Sequence, residues 1–346
     1  MIARLIDGVP RRGLILLGLL LAAFVIAPYF ANDYLLTVLI LILYFAYVGQ
    51  AFNIMMGFAG QLSLGHALYV GLGAYTTAAL YVHFGISPWL GLPVAIAIAA
   101  LAGAAIGYLA FRFGISGVYF AILTIAFAEF ARVGFDHFRW VQGSSGFFLP
   151  VSNYTRNDLW NLRGSPTMFY YVILTLTVIA FLICNWLLRS RIGYFWQAIR
   201  EDELAAKTLG IDTFRCKMIA VLISSGMTSV AGVFFAFYYN NLFPEQVFNI
   251  SRSIELTLGP FVGGIGTLFG PIIGAILITG MADGIFEVLS MLGWTPPGAR
   301  QVFYGFCLLF VVMLLPNGIW PPLASKLGLD KRQDDPSDNP KHKEER

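Results

Sequence analysis

The chain has 346 residues, 58% of them hydrophobic and 12% charged, with a net charge of +3 and a mean hydropathy of +0.73. Soluble domains average about 25% charged residues, so this chain has too little polar surface to coat a water-facing fold. Its apolar runs are unbroken rather than alternating, which points to membrane helices and excludes an outer-membrane barrel pattern.

Taken in order, stretches long and apolar enough to be spans lie at roughly 13–30, 34–56, 64–83, 88–111, 116–131, 167–188, 216–239, 253–266, 268–289 and 301–316. The first follows Arg4, Arg11 and Arg12, but no small-residue cleavage site closes it, so a retained span is expected rather than a signal peptide. Between the second and third spans stands "GFAGQLSLGHALYVGLGAYTTAAL", Gly57 to Leu80. It is unusually rich in Gly for a membrane segment. Small residues allow helices to approach closely, and non-helical backbone at membrane depth survives only where protein or water satisfies it. Asn53, Gln61, Ser63 and His66 gather at this break, either bracing freed backbone or lining a path; Tyr75 follows one span further on as a path candidate. His66 has no second ligand at helical spacing, so no metal site is expected.

The polar segment 132–166 carries Arg132 and Arg139 beside Asp136 and Asp158. A basic segment follows at 189–217, with Arg189, Arg191, Arg200, Lys207, Arg215 and Lys217. Lys and Arg mark the cytoplasmic side. With the N-terminus (1–12) and the tail (Lys326, Lys331, Arg332) also basic, all three regions lie inside if about ten crossings separate them. The 253–266 stretch is short for a span and fits a re-entrant hairpin equally well. Within 189–217, "YFWQAIREDELAAKTLG" is expected to be one amphipathic helix, Tyr194–Leu209, stopped by Gly210. Phe195, Ile199, Ala205 and Ala206 form its apolar side, and Arg200, Glu201 and Glu203 its charged side. Such a helix either lies on lipid headgroups or serves as a lever for a cytoplasmic partner. Further on, "LGPFVGGIGTLFGPIIGA" brackets Gly with Pro260 and Pro271 and predicts a second broken pair. The mixed-charge tail, 323–346, is expected to be disordered.

Several chemistries are missing. The chain contains no Gly-Lys pair, hence no phosphate-cradling loop, and no zinc or hydrolase motif. Cys184, Cys216 and Cys307 suggest neither disulfides nor a metal site. Any energy coupling would therefore come from an ion gradient, with Glu129, Asp283 or Glu287 as relay carboxylates, or from another subunit. A membrane enzyme built on His137, Asp136 and Asp158 is a weaker alternative, since their spacing matches no site.

Three stretches carry a family resemblance. "AIREDELAAKTLGID", "GQLSLGHALYVGLGAYTTA" and "GGIGTLFGPIIGAILI" resemble the branched-chain amino acid importer permeases, the LivM-like subunit, and their urea- and amide-transporting relatives. The central "VQGSSGFFLPV" departs from that pattern, lacking an Asp near Ser145. The resemblance implies an all-α, polytopic membrane bundle over 13–322 with broken or re-entrant helices and a cytoplasmic coupling segment at 189–217. It implies a bacterial cytoplasmic (inner) membrane protein with both termini inside. It also implies a partner set: a second, homologous permease subunit, cytoplasmic ATPase subunits that hold the ATP and Mg this chain does not bind, and an extracytoplasmic solute-binding protein. Glu203, Ala205, Ala206 and Gly210 match the family's coupling motif. No cofactor on this chain and no nucleic acid are expected.

Overall fold

A computed structural model describes Gly18 and residues 21–150, 157–291, 298–315 and 318–326. The N-terminal 1–12, residues 13–17, 19 and 20 of the first expected span, and the tail beyond 326 lie outside the described residues. The regular structure among the described residues is helical, apart from an isolated bridge between Asp158 and Arg163 and one two-stranded ribbon, β1 (Phe147–Phe148) paired antiparallel with β2 (Asn241–Leu242). Five helices are long and apolar enough to cross a membrane: α1 (Asp33–Asn53, extended by a π-helical turn to Phe58), α3 (Pro88–Arg112), α4 (Val118–His137), α5 (Pro166–Leu188) and α8 (Thr213–Tyr239). Helix α2 (His66–Phe84) lies between the first two. Two short helices, α6 (Arg191–Glu201) and α7 (Glu203–Thr208), precede α8. After β2 come α9 (Pro244–Phe248), α10 (Ile250–Gly263), α11 (Gly270–Met291), α12 (Ala299–Leu314) and α13 (Trp320–Lys326).

Helix α8 is the axis of the bundle, packed on α2, α3 and α1. Small residues make this possible: a Cβ at Gly73 of α2 would strike the Ser229 backbone of α8, and one at Gly232 of α8 would strike the Val70 carbonyl. Two hydroxyls buried along α8 are satisfied locally, Thr228 donating to Ser224 O at 2.8 Å and Ser229 to Gly226 O at 2.7 Å. On its other side α1 packs against α5, α10 and α11. Helix α10 has 14 residues, roughly 20 Å at about 1.5 Å per residue, too short to cross a hydrocarbon core of about 30 Å. The expected 253–266 span is therefore a half-helix, joined to α11 through the second Gly-rich break at 264–269.

Candidate functional site: two broken helices and the segment beneath them

The π turn Ile54–Phe58 ends α1, and the chain stays non-helical until His66 opens α2. Gly60 turns this break with φ +69°. The sequence places Asn53, Gln61, Ser63 and His66 here, and each is buried and bonded within the protein. Gln61 donates through Nε2 to Ala59 O at 3.0 Å, and Ser63 Oγ accepts from Gly65 N at 3.4 Å. The Ser224 hydroxyl donates to Ala51 O at 2.7 Å, so at 3.2 Å from His66 its oxygen is the acceptor and His66 Nε2 the donor. His66 Nδ1 and Gln61 Oε1 are buried without a hydrogen-bond partner among the described residues. Tyr75 stands apart, its ring against Phe135 at 4.7 Å and Phe248 at 5.8 Å.

Asn53 joins the first break to the second. Its Oδ1 accepts from Gly266 N at 2.8 Å, and its Nδ2 donates to Thr267 O at 2.9 Å. One turn earlier on α1, Gln50 Nε2 donates to Leu268 O at 2.8 Å. The carboxamides thus pair with backbone that the second break leaves without a helical partner. Gly57 is needed for this approach: a Cβ there would overlap Asn53 Oδ1 and the Gly266 amide.

Beneath the breaks lies the 189–217 segment. The single helix expected over Tyr194–Leu209 is two helices, because Asp202 is extended (φ −154°, ψ 108°) and caps α7, accepting from Leu204 N at 2.8 Å and Ala205 N at 3.0 Å. Gly210, at φ +85°, ends α7 as expected. The apolar side is shared between two environments. Ile199, Ala206 and the fully buried Trp196 face this chain's own Ile54, Phe58, Ala59, Leu187 and Ala220. Trp196 Nε1 is bonded to Cys216 O at 2.7 Å. Phe195 and Ala205 are exposed, together with Tyr194, Leu204 and Leu209, the last two 72% and 80% exposed. Glu203 turns back toward α8, accepting from Lys217 Nζ at 2.8 Å, Lys207 Nζ at 3.1 Å and Thr213 Oγ1 at 3.2 Å. Burial of its carboxyl opposes ionisation, but the hydrogen bonds and charges of Lys217 and Lys207 outweigh it, and its pKa lies below the ordinary glutamate value.

Arg200 closes the arrangement. From the last turn of α6 its Nη1 donates to Gly57 O at 2.6 Å, while its stem lies over Gly60. A Cβ at Gly266, itself at φ +79°, would run into the same guanidinium. One side chain of the basic segment therefore touches both breaks. Its second nitrogen is bonded to the exposed Glu201 at 3.2 Å. Sequence reading put Arg200 on an outward charged side; its length and the two bare glycines above it are what let it reach inward. Gln50, Ser224 and Thr267 were missed altogether, though a Gln in an apolar span is itself a signal.

The carboxylates nominated for an ion relay are dispersed. Glu129 is an exposed surface residue paired with Arg132 Nε at 2.8 Å. Asp283 is buried in α11, and the Glu287 side chain lies outside the described residues. His137 is bonded to Val133 O at 2.8 Å and Asp158 to Asn161 Nδ2 at 2.7 Å, each within its own turn.

A family model described as the permease component of branched-chain amino acid transport systems matches residues 34–312, taking in both breaks, the segment beneath them and most of α12. The chain belongs to this family. Among its relatives, the high-affinity branched-chain amino acid permease LivM of Escherichia coli is 28% identical over 94% of this chain and 79% of its own length. The corresponding LivH of Escherichia coli is 26% identical over 80% of this chain and 90% of its own. An autoinducer 2 import permease, LsrC of an Enterobacter species, is 27% identical over 64% of this chain and 61% of its own. No solved structure matches the chain. As a permease-family member with five apolar membrane-length helices, it is a transport protein of the membrane.

Proposed function

We propose that this chain is one of two homologous membrane subunits of an ATP-driven importer for branched-chain or related amino acids, in a bacterial inner membrane. Its Lys/Arg-rich segment 189–217 and both termini face the cytoplasm. An extracytoplasmic binding protein delivers the solute, and a separate ATPase, holding ATP and Mg, docks on the exposed side of α6 and α7. The observation that carries the reading is Arg200, which ties the basic segment to Gly57 of the first break and lies against Gly266 of the second. A push on α6 reaches both breaks through this side chain and through the packing of Trp196 and Ile199 under the π turn. In this mechanism Asn53, Gln61, Ser63 and His66 hold the broken backbone in shape rather than select the solute. Similarity to both a LivM and a LivH permease supports a heterodimer of homologous subunits.

The test is accumulation of radiolabelled L-leucine in vesicles holding the complete complex. Uptake that requires ATP and survives collapse of the proton and sodium gradients is the expected result. Uptake that ignores ATP but stops when a gradient collapses would establish the ion-driven alternative instead.

A further inference from the structure

Arg252 and Glu255 form an ion pair one turn apart on α10, Nη1 to Oε2 at 2.7 Å, with side chains 17% and 23% exposed. The guanidinium lies over three aromatic rings, Tyr44 at 5.8 Å, Phe45 at 5.5 Å and Phe235 at 5.2 Å. Tyr44 is close to the middle of α1, roughly 20 Å along the helix from the Gly57 carbonyl at about 1.5 Å per residue. Phe235 stands one turn before the end of α8, so the pair sits between the middle of α1 and the end of the bundle away from Gly57, among span residues where charged side chains are costly and generally functional.

Both charges border a cavity of about 490 Å³, together with Glu245, Gln246, Asn249 and Tyr304. The Tyr304 hydroxyl donates to Glu255 Oε1 at 3.3 Å, and Asn249 caps α10 by accepting from Ser251 N at 2.9 Å. Arg252 Nη2 is buried with no hydrogen-bond partner among the described residues. The larger cavity, about 640 Å³ along α5, has no charged lining residue and is walled by Met168, Val172, Leu176 and Ile179. The smaller cavity thus brings both signs of charge to one polar space, open on the side where Glu245, Gln246 and Ser251 are exposed. The half-helix bearing them also adjoins the first break, where Ala67 N donates to Ser253 Oγ at 3.1 Å.

We propose that this cavity is a subsite for the zwitterionic head of the transported amino acid, Arg252 taking the carboxylate and Glu255 with Glu245 taking the ammonium. The idea rests on the importer reading above. In the empty protein the Arg252–Glu255 pair compensates itself. An arriving zwitterion exchanges that internal pair for two external ones, so no buried charge is left alone at either stage. Recognition is confined to the head group, which every α-amino acid shares, so selection among side chains falls to other parts of the system.

The experiment uses saturation-transfer NMR on the purified permease–ATPase complex without its binding protein, with L-leucine as probe. Leucinamide, lacking the carboxylate, and 4-methylpentanoate, lacking the amine, serve as competitors. Wild-type complex should bind L-leucine, and each analogue should compete at least tenfold more weakly. Arg252→Lys and Glu255→Gln complexes that elute normally on size exclusion should bind L-leucine at least tenfold more weakly than wild type. Equal competition by either analogue, binding within twofold of wild type in a folded variant, or no L-leucine signal from wild type would overturn the subsite. If a variant fails to assemble, the analogue comparison on wild type still decides. ATP-driven L-leucine uptake by the wild-type complex is measured in parallel. Uptake without binding at this cavity sinks only the subsite, whereas absent uptake sinks the importer reading.

Discussion

The guanidinium of Arg200 donates to the carbonyl of Gly57 at 2.6 Å, spanning from the last turn of α6 to the π turn that ends α1. A charge-assisted bond to a partly buried carbonyl contributes about 1.5–3 kcal/mol. It is also directional: the carbonyl belongs to a turn already freed from regular helical bonding, so α6 is tied to backbone able to change shape.

Asn53 should be as important to the break as Arg200, for a structural reason. Asn53→Ala leaves the Gly266 amide and the Thr267 carbonyl without their side-chain partner, which should cost about 2–4 kcal/mol at about 1–2 kcal/mol per lost partner. Thermal unfolding of the detergent-purified complex would show the loss. Asn53→Asp keeps the acceptor for Gly266 N but turns a carboxylate oxygen toward the Thr267 carbonyl at a fully buried site, and should melt no higher than Ala. Equal melting of all three would remove the bridge from the account.

The exposed and buried sides of α6 and α7 should separate in mutants. Leu204→Glu or Phe195→Glu lies on the outward side and should lower ATP-dependent uptake at least tenfold with a normal yield of folded permease. Ala206 is 2% exposed, so Ala206→Glu should lower the yield itself, since an unpaired charge in a closed apolar cluster costs several kcal/mol. Normal uptake in the two outward variants would argue that lipid, not an ATPase, covers this surface.

Glu203 makes the attachment of α7 to α8 dependent on pH. Its folded-state pKa is lowered, so its contribution is fully present above the ordinary glutamate range, about pH 4.3, and is lost as pH falls through the depressed folded value. Glu203→Gln should abolish that acid dependence. At neutral pH it should also destabilise the segment by about 1–3 kcal/mol, because Lys217, 6% exposed, loses its carboxylate. Limited proteolysis between α6 and α8 across pH 3–7 follows both effects.

Sidedness can be tested with two cysteines introduced into a Cys307→Ser background. Trp160→Cys, beside the capped turn at Asp158, should react with an impermeant maleimide added outside intact cells. Leu209→Cys should react only after permeabilisation. External labelling of Leu209→Cys would invert the orientation and place the proposed docking surface on the wrong side.

Much of this was legible in the chain, and what was not has a common cause. Long apolar runs identified α1, α3, α4, α5 and α8 because bilayer thickness imposes their length. Gly210 was readable as a stop, since an αL position after a helix favours Gly. The split at Asp202 was not, because an Asp amid charged neighbours reads equally well as helix surface or as a cap. Periodicity found the apolar side of 194–209 but could not say that Trp196, Ile199 and Ala206 would be covered by this chain while Phe195 and Leu204 would not. Burial depends on the tertiary partner, here the π turn and α8. The same limit hid Arg252 and Glu255. Their spacing in an apolar stretch was a signal, but long-range contacts with Tyr44, Phe45 and Phe235 were needed to place them against the aromatic core.

The central claim is that Arg200 transmits work from the basic segment to the broken helices, and uptake per ATP hydrolysed tests it most directly. In reconstituted complex, Arg200→Ala should fold and keep substrate-delivery-stimulated ATPase activity within about threefold of wild type. L-leucine transported per ATP should fall at least tenfold, with Arg200→Lys intermediate because an ammonium keeps the charge but not the forked reach. An unchanged ratio of leucine to ATP in folded Arg200→Ala would contradict the account.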